Sequence, residues 1–408
     1  MGFPSTFPLL LDGATGTYFL SAGMPAGVCM EQWICEHPQM LRDLHREYIA
    51  AGAQAVYAPT FGANAQHLSE YGLREQVDKI NRTLVRITKE TAEPLHIPVG
   101  GSLCPTGLFV PPYGESDFDD IYDIYREQVR ALEEAGVDFL AIETQTSLAD
   151  MRAAVLAART TNLPIFVTAT LDSSGHTMTG CGLLPMLITM QAMGVDAVGL
   201  NCCDGPSSVI EPLQEAIVHA SIPLIAKPSA GLPKHGYLSP EEFAMQMLPA
   251  LKTGVSMVGG CCGTTPAHIA QLRRILDEFR PQYQGTAVHY EDADNYAAAM
   301  ETEVFFLGDD IMLSEPITCS SGLSDDLIDL EDEQVNAALV LLQNMDDVHL
   351  LTENSTVTRI PIAIHTDSRT LLDAALRYFQ GRLIIDSNCE IDMELIERIA
   401  SKYGAIVY

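Results

Sequence analysis

Positive charge is scarce in this chain: 23 Lys and Arg stand against 54 Asp and Glu, a formal net charge of −31 over 408 residues. So acidic a surface repels the phosphates of nucleic acid and of anionic lipid headgroups, and neither is expected as a partner. No apolar stretch reaches the roughly 18 uncharged residues of a membrane-spanning helix. The start, MGFPSTFPLLLDG, has neither a basic n-region nor a long apolar h-region, so it does not read as a signal peptide. Pro4 and the apolar run close behind it argue against a myristoylated Gly2. Disulfide spacing is also missing. The ten cysteines are scattered without a secretion signal, a pattern that points to a reducing, cytoplasmic setting. No GxGxxG follows the first apolar run, which counts against a dinucleotide-binding doubly wound sheet.

What is present is ample core. Hydrophobic residues make up 47% of the chain, enough for one barrel-sized domain and a smaller one. Eight short apolar runs occupy the first two-thirds: PLLLDG (8–13), AVYAPTF (55–61), PVGGSLC (98–104), DFLAIET (138–144), PIFVTAT (164–170), AVGLNCC (197–203), PLIAKPS (223–229) and SMVGGCC (256–262). Nearly unbroken apolar runs suit strands buried on both faces of a parallel sheet. Helix-spaced segments lie between them, among them MLRDLHREYIAAGA (40–53), FDDIYDIYREQVRALEEAG (118–136), SLADMRAAVLAARTT (147–161) and TPAHIAQLRRILDEF (265–279). The repeat predicts an α/β fold, a (β/α)8 TIM barrel over residues 1–283.

A barrel gathers the last residues of its strands around one mouth, where such enzymes keep their chemistry. Those residues are Asp12, Thr60 and Phe61, Glu143 and Thr144, Asn201 and Cys202, Lys227 to Ser229, and Cys261 with Cys262. Cys202, Cys261 and Cys262 have two readings. They are inert buried cysteines, or three thiolates holding one zinc ion with a fourth position open. The glycines flanking the Cys261–Cys262 pair favour the second, since they let the backbone turn two neighbouring side chains toward one point. Cys203 is expected to pack, and His45 and His67 to pack or cap. Glu143 is either a salt-bridged barrel carboxylate or the holder of a substrate ammonium. Asp12 opens an Asp–Gly turn, and the N–H groups after Gly13, at Ala14 and Thr15, suit a substrate carboxylate. Lys227 suggests a Schiff-base aldolase as a rival reading.

In order, DGATGT (12–17), APTFGAN (58–64), AIET (141–144), GLNCC (199–203), KPSAGLP (227–233) and GGCCGTTPAHI (259–269) resemble the homocysteine S-methyltransferase family. The resemblance covers residues 8–280. It implies that Cys202, Cys261 and Cys262 hold zinc, that the homocysteine sulfur takes the open position, that Glu143 binds the amino group, and that the Gly13–Ala14–Thr15 turn binds the carboxylate. It further implies methyl transfer giving methionine, with the metal keeping the thiol ionised so that no separate general base is needed. Two positions depart from the family pattern. Ser229 stands where Asn is common, which leaves the resting fourth ligand open, and Thr15 replaces Met.

The remaining third is expected to start with a linker and short helix (284–302), followed by a small open α/β unit (303–408). Strands are expected at 303–308, 348–353, 361–366, 382–387 and 405–408, and helices at 332–345, 368–380 and 390–404. PIAIHTDSRTLLDAALRYFQGRLIIDSN resembles part of the pterin-binding barrel of cobalamin-dependent methionine synthases. That implies a corrinoid, methylcobalamin, as methyl donor or as relay from methylfolate. No DxHxxG motif is present, so corrinoid would come from another chain or from modules beyond this one. S-methylmethionine and betaine are the alternative donors, and another thiol or selenol the alternative acceptor. A non-catalytic scaffold for a corrinoid or folate partner is the reading outside enzymes.

Overall fold

The computed structural model describes residues 7–283, 297–308, 310–332, 335–354 and 356–408. Eight parallel strands form the first sheet: β1 (Leu9–Leu10), β2 (Val56–Ala58), β3 (Val99–Leu103), β4 (Phe139–Gln145), β5 (Ile165–Ala169), β6 (Ala197–Cys202), β7 (Leu224–Pro228) and β8 (Met257–Val258). Seven lie inside the apolar runs, and β4 overshoots its run by one residue, Gln145. Their order is β1-β8-β7-β6-β5-β4-β3-β2, so the first strand pairs with the last and the sheet curls into a barrel. At the seam between β1 and β2, the Gln54 N–H donates to the Leu10 carbonyl at 2.7 Å. Leu9, Leu11, Tyr57, Phe139, Phe166, Ile225 and Met257 fill the interior. Helices cover the outside, and among the described residues none is long and apolar enough to cross a membrane.

The last third holds two further sheets. β9 (Ala297–Ala299) and β10 (Val304–Phe306) make an antiparallel hairpin. β11 (Ile317–Thr318), β12 (Ala338–Leu341), β13 (Ile362–His365), β14 (Ile384–Ile385) and β15 (Ile406–Val407) make a parallel sheet in chain order. Two expectations are corrected here. The helix expected over 332–345 contains strand β12, and the strand expected over 348–353 lies in the helix Met345–Asn354. Ala337 to Leu342 is an unbroken apolar run on a strand flanked on both sides within the sheet, whereas a surface helix would need a polar face. The following helix is started by local polar groups: Asp347 accepts the N–H groups of Gln343 (2.7 Å) and Asn344 (3.1 Å), and Asn344 accepts that of Asp347 (3.2 Å). Strand β11 was not anticipated. Of the expected linker, 284–296 lie outside the described residues, and Ala297–Ala299 is strand rather than linker.

Two arginines of the barrel fasten this unit. Arg152, on the helix Leu148–Ala158 that follows β4, is 1% exposed. It donates to the carbonyls of Leu376 (2.6 Å), Arg377 (3.1 Å) and Phe379, at the end of the helix Arg369–Tyr378. Arg159, seven residues further on, donates to the carbonyls of Ser401 (3.2 Å) and Lys402 (2.7 Å), at the end of the helix Met393–Tyr403. Helix C-termini carry partial negative charge, so both guanidinium groups cap dipoles rather than carboxylates. Burial pulls Arg152 down to about 10.

Candidate metal and substrate site

The Sγ atoms of Cys202, Cys261 and Cys262 all lie within 4.8 Å of one another, and those of Cys202 and Cys262 are 3.8 Å apart. With Zn–S bonds of about 2.3 Å, two corners of a tetrahedral site are separated by about 3.8 Å, so the donor set fits a zinc ion. All three are free thiols. Hydrogen bonding from Cys261 and Cys262 pushes Cys202 down to about 3, while the contact with Cys202 pushes Cys261 up to about 11 and contacts with both neighbours push Cys262 higher still. A divalent cation would favour the ionised form of all three.

The glycines flanking the pair play different parts: Gly263 is left-handed (φ 80°), whereas Gly259 and Gly260 are not, and Cys202 (φ 62°) and Cys203 (φ 50°) are left-handed as well. Gly260 is needed for close approach: a Cβ there would lie 2.5 Å from Thr264 Oγ1. Thr264 is central to this packing. Its hydroxyl donates to the Cys261 carbonyl (2.7 Å) and accepts the Ala14 N–H (3.0 Å), which joins the cysteine loop to the turn after β1. The Gly260 N–H to Asp12 carbonyl bond, 3.0 Å, adds to that seam. Ala14's donor is thus engaged by the protein itself, which leaves Gly13 and Thr15 as candidate donors to a substrate carboxylate.

These thiols open into a cavity of about 360 Å³ at the C-terminal mouth of the barrel. Asp12, Gly13, Ala14, Thr15, Phe61 and Glu143 line it, together with the three cysteines. Thr60 and Asn201 do not; they brace its walls. The Thr60 hydroxyl donates to the Ser102 carbonyl (2.8 Å) and accepts the Ser102 N–H (2.9 Å). Asn201 pairs with Thr144, which is itself left-handed at φ 61°. Ser229 donates its hydroxyl toward Cys202 Sγ at 3.6 Å. Cys203 packs, its Sγ accepting the Leu171 N–H at 3.4 Å. His45 is buried against the Tyr57 carbonyl (3.3 Å), and burial lowers it to about 4.

Glu143 faces the cavity from deep in the barrel. Burial raises its carboxyl to about 7, against the opposing pull of the Lys227 charge and of the Ser102 hydroxyl that donates to it. Lys227 is 4% exposed, with Nζ 3.0 Å from Asp12 Oδ1 and 3.7 Å from the centre of the Tyr57 ring. Burial works against its charge, but Asp12, Tyr57 and Glu143 more than offset this and hold it above the ordinary lysine range. A Schiff base needs a neutral amine, so an ion-paired Lys227 does not support the aldolase reading. Ser102 and Tyr57 were not singled out from the sequence. Ser102 stands near the end of strand β3.

A model of the family described as homocysteine S-methyltransferase matches residues 9–276. Methionine synthase of Mycobacterium tuberculosis is 30% identical over 425 aligned positions, covering 92% of this chain and 35% of that protein. The methionine synthase of Mycobacterium leprae is 28% identical, with the same coverage. The chain therefore spans about 35% of the length of these relatives. Among solved structures, the homocysteine methyltransferase MmuM of Escherichia coli in its metallated form is 25% identical with a TM-score of 0.58, over 66% of this chain and 96% of that one. Its oxidised form matches equally well.

Proposed function

Because this chain belongs to the homocysteine S-methyltransferase family, we propose that its barrel methylates the thiol of homocysteine to give methionine. The convergence of three cysteine sulfurs within 4.8 Å, at the mouth of a cavity that also holds Glu143, carries this reading. Cys202, Cys261 and Cys262 would hold zinc. The ion would keep a thiol in its fourth position ionised at neutral pH.

The chain's own groups set the substrate's orientation. Glu143, when ionised, pairs with the α-ammonium. The Gly13 and Thr15 N–H groups receive the α-carboxylate. Phe61 and Met30 supply apolar wall beside the side-chain carbons. Together these place the sulfur at the three cysteines and leave its outer side toward the mouth, where a donor approaches. In the net reaction a carbon–sulfur bond forms, the donor loses its methyl group, and the thiol proton goes to solvent. A reducing cytoplasm suits the open thiol cluster.

The donor we favour is a methylated corrinoid carried by modules outside this chain. The match to methionine synthase extends over 92% of the chain, well past the barrel, which supports placing this chain in such an assembly. The test is zinc content per chain, followed by homocysteine methylation with methylcobalamin and with S-methylmethionine in parallel. Activity with methylcobalamin alone supports the corrinoid donor. Activity with S-methylmethionine alone keeps the acceptor and replaces the donor. A zinc-loaded protein that neither binds nor methylates homocysteine overturns the function.

A further inference from the structure

Lys227 has no part in the chemistry above, yet among the described residues lining the cavity it is the single Lys or Arg. Two carboxylates, Asp12 and Glu143, line the same space. We propose that Lys227 is a positioning residue for the amino-acid end of the substrate: it anchors Asp12, and with it the Gly13–Thr15 turn, and balances one of the two carboxylates so that Glu143 is left for the substrate ammonium. The inference rests on the homocysteine reading above.

Asp12 is held from two sides. Its Oδ1 meets Lys227 Nζ at 3.0 Å, and its Oδ2 accepts the Tyr57 N–H at 2.7 Å. β1 has a strand ladder with β8 but none with β2, so the Asp12 carboxylate bridges the seam where the barrel closes. Lys227 reaches it from β7, with β8 between the two strands in the sheet. Gly259 makes the crossing possible, since a Cβ there would lie 2.8 Å from the Asp12 carbonyl and 3.1 Å from Lys227 Cγ. The Tyr57 ring, 3.7 Å from Nζ, covers another face of the ammonium. Lys227, Asp12 and Tyr57 thus clamp the base of the turn whose backbone faces the substrate. Charge makes the second half of the argument. Two carboxylates face one cavity, and an ionised carboxylate there is favoured by a cation beside it; the chain supplies one and an α-amino acid supplies the other.

The test uses the zinc-loaded full chain, with homocysteine varied against whichever methyl donor the wild type accepts. Lys227→Met is expected to raise the homocysteine KM at least about tenfold, with kcat within about threefold and zinc content unchanged, the pattern of lost substrate positioning. Adding Asp12→Asn removes the uncompensated carboxylate and should bring KM back by at least about threefold, a recovery that simple loss of packing does not produce. Asp12→Asn alone strands the cation and should be worse than the double variant. That comparison holds even if Lys227→Met does not fold. A Lys227→Met protein with KM within about twofold of wild type overturns the proposal, as do single effects that merely add in the double variant. If the wild type itself neither binds nor methylates homocysteine, the functional reading fails and takes this one with it. If the wild type does both and the variants are unaltered, only the role of Lys227 fails.

Discussion

Asn201 and Thr144 hold each other from strands that are not neighbours in the sheet. The Asn201 Nδ2 donates to Thr144 Oγ1 at 2.7 Å, and the Thr144 N–H donates to Asn201 Oδ1 at 2.7 Å. Asn201 precedes the thiol of Cys202, and Thr144 follows the carboxyl of Glu143. The pair therefore sets the distance between the sulfur cluster and the carboxylate proposed to bind the ammonium. Both Thr144 (φ 61°) and Cys202 (φ 62°) sit in the left-handed region, where a non-glycine residue costs about 1 kcal/mol or more. The two hydrogen bonds help offset that strain.

Asn201→Ala removes both bonds and frees two strained residues. We expect a loss of about 1–3 kcal/mol in denaturant unfolding, with a raised homocysteine KM and weaker zinc retention under chelator competition. A variant that keeps wild-type stability and KM would show that the pair does not set the spacing.

Cys261→Ser replaces one sulfur of the cluster. Zinc content should fall well below one per chain, and methylation should drop at least about 100-fold. Full zinc occupancy together with full activity would remove Cys261 from the site.

Homocysteine binding should depend on pH through Glu143. Its carboxyl is raised to about 7, chiefly by burial, and only the ionised form pairs with an ammonium. Protonation therefore opposes binding: as pH falls below the pKa, the ionised fraction drops about tenfold per unit and the homocysteine KM should rise in proportion. Above it, KM should level off. Glu143→Gln should raise KM and flatten this slope, both read from initial rates between about pH 6 and pH 8.5. A slope unchanged in Glu143→Gln would assign the titration to another group.

Arg152→Met keeps the apolar stem and removes the donors that the carbonyls of Leu376, Arg377 and Phe379 share. Buried acceptors left without donors cost about 1–3 kcal/mol each. We expect a lower unfolding midpoint and faster proteolysis within residues 297–408. An unfolding curve that overlays the wild type would show that this contact does not hold the unit in place.

Much of this was legible in the sequence, for a local reason. Strands buried on both faces are largely apolar, so all eight barrel strands appear as short, nearly unbroken runs, and GLNCC and GGCCGT mark where two of them end. The same rule holds for Ala337 to Leu342, the apolar run that forms β12; polar residues on both sides of it give the longer segment a helix-like spacing. Tertiary structure decided what faces the cavity and what braces it. Thr60 and Asn201 stand at strand ends, as sequence reasoning expects, yet their side chains bond Ser102 and Thr144 instead of lining the space. Ser102 and Tyr57 enter the site only because the strands are adjacent. Lys227 is the clearest case. Its residue type allowed a nucleophilic amine, and Asp12, 215 positions earlier in the chain, makes it a fixed cation. Apolar patterning acts along the chain and is written there, whereas the charge state of a buried side chain is set by whichever groups the fold brings within a few ångströms of it.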